Sequence, residues 1–272
     1  MAKRALLVGL NRYPDPENTL RGCINDVRQV EDLLRARFGF EQAGAIRLLT
    51  DAEATTRAIV SGLHWLVDDA SAGDALVFHY SGHGSQVPDR HGDEADGLDE
   101  ILCPYDLDWD DPLTDDDLGA IVGRLPAGAN LTVILDCCHS GTGLREAAGD
   151  ATRARNRFLH PPARLRPRRR RDAAVRRFGE QAAARGAILI AGCRSDQTAA
   201  DADIAGEYHG AHTFYFCQAI AELGEAGTYR AVVARTRRLL EANGYEQVPQ
   251  LEGPKALLDG RILAPALEAV QG

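Results

Sequence analysis

Residues 131–141 of the chain read LTVILDCCHSG, and this stretch decides the fold. Its first five residues are aliphatic or β-branched, a pattern that predicts a strand buried on both faces of a sheet. The chain then passes at once to Asp136, Cys137, Cys138 and His139, so that reactive side chains follow the end of the strand.

Two other segments repeat this arrangement of a buried strand that ends in polar residues. Residues 74–80 (DALVFHY) precede the SGHG sequence at 81–84, and residues 187–191 (AILIA) precede the GCRSD sequence at 192–196. Functional sites in parallel sheets lie beyond the carboxyl ends of the strands. The three polar clusters are therefore expected to converge at one edge of the sheet.

Strands alternate with amphipathic helices along the chain, which predicts an α/β fold. Further strands are predicted over residues 5–10, 45–49 and 247–251, which gives a central, mostly parallel six-stranded sheet flanked by helices on both faces. Helices are predicted to be capped by Asn25 or Asp26, by Thr55 or Thr56, and by a Thr114–Asp117 capping box, and to cover 115–125, 214–223 and 231–242. The acidic residues before Thr114 predict a loop, with a short strand near 101–105.

His83 and Cys138 are candidates for a catalytic pair. A cysteine nucleophile needs an imidazole to take its proton and N–H donors for the developing oxyanion. His83 lies between two glycines, and its position 55 residues before Cys138 matches the upstream histidine of caspase-type enzymes. A turn histidine and a buried structural thiol are the other interpretations. A zinc site that adds Cys137 and His139 is disfavoured, because adjacent ligands close a tetrahedron poorly.

The sequence resembles the caspase-like cysteine peptidases of clan CD, and among them most resembles metacaspases and their bacterial relatives, the orthocaspases. Four motifs between residues 3 and 258 carry the resemblance, GCIND at 22–26, YSGHG at 80–84, DCCHSG at 136–141 and GCRSDQ at 192–197. The resemblance implies a caspase-like fold and a cysteine endopeptidase with Cys138 as nucleophile and His83 as general acid and base. It also implies an oxyanion hole formed by the backbone N–H groups of Gly84 and Cys138.

The same resemblance implies a single catalytic domain over residues 1–272. Residues 1–150 correspond to the large segment of caspase-like chains and contain both members of the candidate pair. Residues 186–272 correspond to the small segment. The residues between them, 151–185, are rich in arginine and show no sustained periodicity, which predicts a mobile linker.

Substrate preference is implied by the acids that the family places in its substrate pocket. The matching residues here are Asp26 and Asp136, with Ser81 on the wall of the pocket. A guanidinium buried without a partner is costly, so carboxylates imply cleavage after Arg, and then Lys. Cleavage after aspartate is disfavoured, because it needs arginines in these places. The alternative is that Asp26 only caps a helix and Asp136 only ends a strand.

Calcium is the one cofactor expected, and no organic cofactor is expected. Residues 89–117 contain thirteen acids against one arginine, and Ca²⁺ takes roughly six to eight oxygen ligands. Calcium-activated metacaspases have acids at positions that match Asp99, Asp115 and Asp116. Their fourth acid has no match, because this chain has Arg145 there, with Glu146 beside it. A calcium-independent peptidase of the orthocaspase kind is the alternative.

The arginine-rich segment is a candidate substrate for an enzyme that cleaves after arginine. Residues 153–177 contain eleven arginines against one aspartate, and we expect self-cleavage between residues 153 and 185 that depends on Cys138. The other interpretations are a solvated linker, a patch for nucleic acid or membrane, and a linker that lies across the cleft and inhibits it.

Charge and hydropathy exclude other classes of protein. The net charge is −9, and the arginine-rich segment carries +10, which leaves −19 for the remainder and argues against a nucleic-acid partner. The chain has no membrane-length apolar run and no signal-peptide pattern, so a cytoplasmic location, reduced thiols and no membrane partner are expected.

The expected partners are proteins or peptides with Arg or Lys before the scissile bond, and the resemblance implies a monomer. A catalytically idle scaffold or adaptor is the competing function, disfavoured by the presence of both His83 and Cys138.

Overall fold

The computed structural model describes residues 1–89, 92, 97–139, 154–165 and 186–265. The strands within this part of the chain are β1 (Lys3–Gly9), β2 (Ile46–Thr50), β3 (Ala75–Ser81), β4 (Gly84–Pro88), β5 (Leu98–Leu102), β6 (Leu113–Thr114), β7 (Asn130–Asp136), β8 (Ala154–Asn156), β9 (Ala187–Ala191), β10 (Ala200–Ile204), β11 (Glu207–Gly210) and β12 (Gln250–Glu252). Its α-helices are α1 (Cys23–Phe38), α2 (Thr56–Asp68), α3 (Asp115–Val122), α4 (Ala211–Leu223), α5 (Tyr229–Ala242) and α6 (Lys255–Leu258).

The central sheet has six strands in the order β12-β9-β7-β3-β1-β2. The five strands from β9 to β2 are parallel to their neighbours, and β12 at the edge runs antiparallel to β9. The prediction of a mostly parallel six-stranded sheet is therefore confirmed. The sixth strand covers 250–252 rather than the predicted 247–251.

Strand β1 shows how the sheet divides the core into two clusters. Leu6 and Val8 pack in the cluster that contains the apolar residues of α2 and α3. Ala5 and Leu7 pack in the cluster that contains those of α1, α4 and α5. Successive side chains of a strand point to opposite faces, so helices cover the sheet on both sides, as predicted. No helix among the described residues is long and apolar enough to span a membrane.

The starts of the helices follow the predicted caps in two cases and differ in a third. Thr55 accepts a hydrogen bond from the Ala58 amide at the start of α2, and Thr114 forms the predicted capping box with Asp117 at the start of α3. Helix α1 begins at Cys23 after Gly22, so the prediction that Asn25 or Asp26 caps this helix was wrong. The physical reason is that the Asp26 side chain is fully buried in the interior and makes no capping hydrogen bond at the start of the helix.

The acidic stretch is more ordered than the predicted loop. Strands β4, β5 and β6 form a small antiparallel sheet, in which Gly84 pairs with Leu102 and Ile101 pairs with Thr114. The short strand predicted near 101–105 corresponds to β5, which covers 98–102. The interpretation of the remainder as a loop was wrong because Val87, Ile101 and Leu102 reach the hydrophobic core and bury their side chains there. The small sheet begins directly after His83.

Residues 154–156, expected within a mobile linker, form β8 against β10. The pairing is antiparallel, with Asn156 opposite Ala200 and Arg155 opposite Asp201. Two residues later Phe158 pairs with Gly84 at the start of β4. The segment from 154 to 159 therefore crosses the carboxyl edge of the central sheet, where the polar clusters were expected to meet.

Candidate active site

The carboxyl ends of β3 and β7 are level with each other. Ser81 is the register partner of Asp136, so His83 and Cys138 each lie two residues beyond the same level of the sheet. The predicted convergence of the polar clusters therefore takes place at one edge of the sheet. The residues of the GCRSDQ motif follow the neighbouring strand β9 and complete this edge.

His83 is held in place by three hydrogen bonds that were not predicted from the sequence. Its Nε2 lies 2.9 Å from the carbonyl oxygen of Asn18. Its backbone amide donates to the Tyr13 hydroxyl (2.8 Å), and the Tyr80 hydroxyl donates to its carbonyl (2.8 Å). A carbonyl only accepts hydrogen bonds, so the contact with Asn18 assigns the proton to Nε2 and leaves Nδ1 as the basic nitrogen.

Cys138 is buried beside the loop that precedes β10. The amide of Ala199 donates a hydrogen bond to Cys138 Sγ over 2.6 Å. The carbonyl of Ala199 accepts from the Arg157 amide over 3.1 Å. The backbone of Ala199 thus binds both the Cys138 sulfur and the segment that contains Arg157.

The carbonyl oxygen of Arg157 is bound between two backbone amides. Gly84 N–H donates to it over 3.0 Å and Cys138 N–H over 3.1 Å. These two amides are the predicted oxyanion hole, and a pair of fixed donors at this distance is the geometry that stabilises a developing oxyanion. A Cβ at position 84 would collide with the Cys138 carbonyl, so the close approach requires glycine.

The side chain of Arg157 fills the predicted acidic pocket. Its guanidinium lies 2.8 Å from Asp26 Oδ2, 2.8 Å from Ser81 Oγ and 3.3 Å from Asp136 Oδ2. It also contacts Asp201 Oδ1 at 3.1 Å. The role of Asp201 was not predicted, because nothing in the local sequence of β10 shows that this strand passes the start of α1.

The three carboxylates of the pocket are fixed by donors of their own. The Gly210 amide donates to Asp26 Oδ1 over 2.9 Å, and Ser81 Oγ donates to its Oδ2 over 2.7 Å. Asp136 Oδ2 accepts from both the amide and the hydroxyl of Thr213. Asp201 accepts from the Arg21 and Gly22 amides, each over 2.8 Å. The pocket is thus preorganised for a cation.

The ionisation of the pocket follows from this arrangement. Burial acts to lower the pKa of Arg157, but the neighbouring acidic groups, Asp136, Asp26 and Asp201 among them, raise it well above its ordinary value. Burial likewise acts to raise the pKa of Asp26, but the Arg157 guanidinium and hydrogen bonds from His209 and Ser81 lower it overall. The guanidinium is therefore charged, and Asp26 faces it as a carboxylate.

Two buried histidines near the pocket, His79 and His83, are neutral at neutral pH. Burial lowers the pKa of His83 to about 4, against the opposing effect of the Asn18 and Arg157 backbone groups. Burial also lowers the pKa of His79, beneath the pocket, to about 4. A neutral imidazole at position 83 is the form that can accept a proton from a thiol.

Cys137 and His139 flank the candidate nucleophile and face elsewhere. Cys137 belongs to the hydrophobic cluster that contains the apolar residues of α2 and α3, and its Sγ lies 3.4 Å from His139 Nε2. Burial lowers the pKa of His139 to about 4. No group of three or more histidine, cysteine or acidic side chains in the described part of the chain is placed to hold a metal ion.

The acids predicted to bind calcium lie on the small antiparallel sheet and the helix after it. Asp99 is buried in β5. Asp115 and Asp116 are in the first turn of α3, and Asp115 Oδ1 accepts a hydrogen bond from the Glu100 amide over 3.1 Å. Arg145 and Glu146 lie outside the described residues. These acids do not assemble a cage by themselves, so calcium binding stays a prediction.

Comparisons with known proteins found similarity in sequence and in fold. Residues 3–146 match the family model described as metacaspase, peptidase C14 domain. Metacaspase-1 of Meyerozyma guilliermondii is 34% identical over 92% of this chain and 68% of its own length, and metacaspase-1 of Mycosarcoma maydis is 36% identical over 92% and 69%. A crystal structure of a Geobacter sulfurreducens protein, 26% identical, superposes with a TM-score of 0.69 over 97% of this chain and 99% of its own. Caspase-1 of Spodoptera frugiperda shares the fold with a TM-score of 0.60 at 11% identity, over 92% of this chain and 86% of its own.

Proposed function

Since the chain belongs to the metacaspase family of C14 cysteine peptidases, we propose that it is an endopeptidase that uses a His83–Cys138 pair to cleave after arginine. Its first substrate is its own chain, at the bond between Arg157 and Phe158. The enzyme class follows from the family, and its substrates are proteins. The pair, the preference for arginine and the self-cleavage are the content of the proposal.

One observation carries the proposal, namely the position of Arg157. Its side chain lies in the acidic pocket, and its carbonyl oxygen lies between the amides of Gly84 and Cys138. The three residues before it pair with β10 in the manner of a bound peptide strand. Side chain, carbonyl and strand are therefore aligned together as in an enzyme–substrate complex.

The proposed reaction uses Gly84 and Cys138, whose amides contact the Arg157 carbonyl, and His83 at the same edge of the sheet. The Sγ of Cys138 gives its proton to Nδ1 of His83 and attacks the carbonyl carbon of Arg157, while the amides of Gly84 and Cys138 hold the oxyanion. The bond to the Phe158 nitrogen then breaks, and His83 returns the proton to the departing amine. Water hydrolyses the thioester in the second half, with His83 as the base.

The preference for arginine follows from the charge of the pocket. Asp26, Asp136 and Asp201 are buried carboxylates, and an uncompensated buried charge is strongly unfavourable. A guanidinium compensates them and makes several directed hydrogen bonds at once, whereas a lysine ammonium offers fewer donors in one plane. An aspartate in this pocket would be repelled. We therefore expect arginine first, lysine second and no cleavage after aspartate.

The proposal is tested by incubating the purified full-length protein and analysing it by intact mass and N-terminal sequencing. Wild type is expected to give a fragment that begins at Phe158, and Cys138→Ala is expected to stay whole. Arg157→Ala should abolish this cut, whereas the matched variant Arg155→Ala, which removes an exposed arginine of β8 two residues earlier, should retain it. A wild-type chain that stays whole and hydrolyses no arginine reporter peptide would contradict the proposal.

The other parts of the proposal concern regulation, partners and location. Calcium stimulation through Asp99, Asp115 and Asp116 is proposed beside the calcium-independent alternative. A monomeric state, a cytoplasmic location and the lack of nucleic-acid and membrane partners are proposed from charge and resemblance. An idle scaffold is the alternative function, and the cleavage assay with Cys138→Ala separates it from the enzyme.

A further inference from the structure

The cleft continues beyond the bond between Arg157 and Phe158. The amide of Gly84 donates to the Arg157 carbonyl, and the carbonyl of Gly84 accepts from the Leu159 amide over 2.9 Å. Ser85 Oγ then donates to the Leu159 carbonyl over 2.6 Å. Strand β4 therefore holds the main chain of the two residues after the bond in a parallel, strand-like pairing.

The side chain of Phe158 packs against a small apolar surface of the protein. It is half-buried and packs against the small cluster of Cys138, Cys193 and Ala199. The Cys193 thiol is itself fixed, since it donates to the Gln197 carbonyl over 3.5 Å. Phe158 therefore contacts Cys193 of the GCRSDQ loop after β9, together with Cys138 and Ala199.

Leu159 continues the apolar character of the segment. Its side chain is partly buried and packs against the hydrophobic cluster that contains the apolar residues of α2 and α3. His160 is exposed and its ring meets Phe158 edge to face at a centroid distance of 5.0 Å. Both residues that follow the bond, Phe158 and Leu159, therefore pack against the body of the protein.

We infer that β4 and the GCRSDQ loop form a primed-side binding site that selects substrates in which arginine is followed by a large apolar residue. The inference rests on the proposed function and specifies its substrate class as polypeptides with the pattern arginine, large apolar, apolar. A charged residue after the arginine would lose water against Cys138, Cys193 and Ala199, which offer no opposite charge. A Phe, Leu or Met side chain would bury carbon surface there.

The site also affects catalysis and not only affinity. The same Gly84 contacts the carbonyl that becomes the oxyanion and the amide one residue beyond the leaving nitrogen. Pairing on the primed side therefore aligns the scissile bond with the oxyanion hole. Binding energy from the two residues after the bond is thus available for orientation of the reacting groups.

The test uses self-processed wild-type enzyme and internally quenched peptides that span residues 154–161. The native peptide is compared with peptides that carry Phe158→Leu, Phe158→Asp or Phe158→Gly. We expect kcat/KM to fall about tenfold or more for Asp and for Gly, as the loss of a half-buried aromatic side chain implies, and to stay within about threefold for Leu. An arginine aminocoumarin amide, which has no residue after the bond, is assayed in parallel.

A second variant tests the main-chain part of the site. Ser85→Ala removes the donor to the Leu159 carbonyl and should lower kcat/KM for the native peptide about fivefold relative to the aminocoumarin amide. The matched control Ser61→Ala changes an exposed serine of α2 and should leave this ratio as in wild type. Equal cleavage of the Phe and Asp peptides, together with hydrolysis of the aminocoumarin amide, would overturn the inference and leave the proposed function standing. Failure to hydrolyse any arginine substrate would overturn both.

Discussion

Arg157 and Asp26 form an ion pair with no exposure to solvent on either side chain: Nη2 lies 2.8 Å from Oδ2, across 131 residues of sequence. A pair this deeply buried forms only where the fold brings both partners to one place and supplies further hydrogen bonds. In this pair, Arg157 belongs to the segment that the enzyme is proposed to cleave.

Asp26→Asn should therefore impair cleavage after arginine. Loss of one charge from a buried pair of this kind typically costs about 2–5 kcal/mol, so we expect kcat/KM for an arginine reporter to fall about thirtyfold or more. Asp203→Asn is the matched control, since Asp203 is an exposed acid on β10. Unchanged hydrolysis by Asp26→Asn would mean that this acid does not select the substrate.

Arg157→Ala should lower the stability of the uncleaved chain. In a Cys138→Ala background, which prevents cleavage, the three pocket carboxylates lose their cation, and we expect the free energy of unfolding to fall by about 1–3 kcal/mol. The expected loss lies below the usual range for buried pairs because water can enter the vacated pocket. Urea denaturation measures it, and Arg155→Ala in the same background should change stability by less than about 0.5 kcal/mol.

Gly84→Ala should slow the chemical step. The added Cβ collides with the Cys138 carbonyl and displaces one of the two amides that contact the Arg157 carbonyl. Loss of one oxyanion donor typically lowers kcat by about 10² to 10³. Steady-state kinetics with an arginine reporter, beside a thermal unfolding curve, distinguish this effect from misfolding, and a kcat within threefold of wild type would exclude Gly84 from the oxyanion hole.

The buried histidines predict a loss of stability in mild acid. The pKa of His79 in the folded chain is about 4, below its ordinary value of 6.5. The unfolded chain therefore binds the proton first as pH falls, and the contribution of His79 to stability, complete above pH 6.5, is lost progressively between pH 6.5 and pH 4. His79→Gln in the Cys138→Ala background should reduce the slope of unfolding free energy against pH in this window by about 1.4 kcal/mol per pH unit. An identical slope in both proteins would contradict the assignment.

Calcium dependence is tested on the self-cleavage reaction. We expect chelation to slow the appearance of the fragment that begins at Phe158, and added Ca²⁺ to restore it. Asp115→Asn should raise the calcium concentration needed for half-maximal cleavage about tenfold, whereas Asp111→Asn, an exposed acid of the preceding turn, should not. Equal rates with and without chelator would favour the calcium-independent alternative.

The sequence was sufficient to predict the central sheet and the meeting of the polar clusters, because both depend on local patterns. Buried strands such as β3 and β7 are continuous apolar runs, and parallel strands place their carboxyl ends together. The contact of Arg157 with Asp26, Ser81 and Asp136 was not predicted, because it depends on the path of a segment without periodicity.

The residues that support the site, Asn18 and Asp201 among them, were not predicted from the sequence for a related reason. Asn18 contributes only a backbone carbonyl to His83, and every residue has one. Asp201 lies in the short middle strand of the β11-β10-β8 sheet, and only the tertiary fold shows that it faces Arg157. Of the strands in the acidic stretch, only one near 101–105 was predicted, because charges alternate there with the few apolar residues that reach the core.

The strand order of the central sheet determines what the proposed cut leaves behind. Strands β1, β2, β3 and β7 precede Arg157, while β9 and β12 follow it, and the ladder between β7 and β9 joins the two groups. Cleavage would therefore convert one molecule into a complex of two polypeptides that share a single sheet and core. Unfolding of the processed enzyme would release two chains, so its midpoint would depend on protein concentration, and the fragments would have to find each other again before any activity returned.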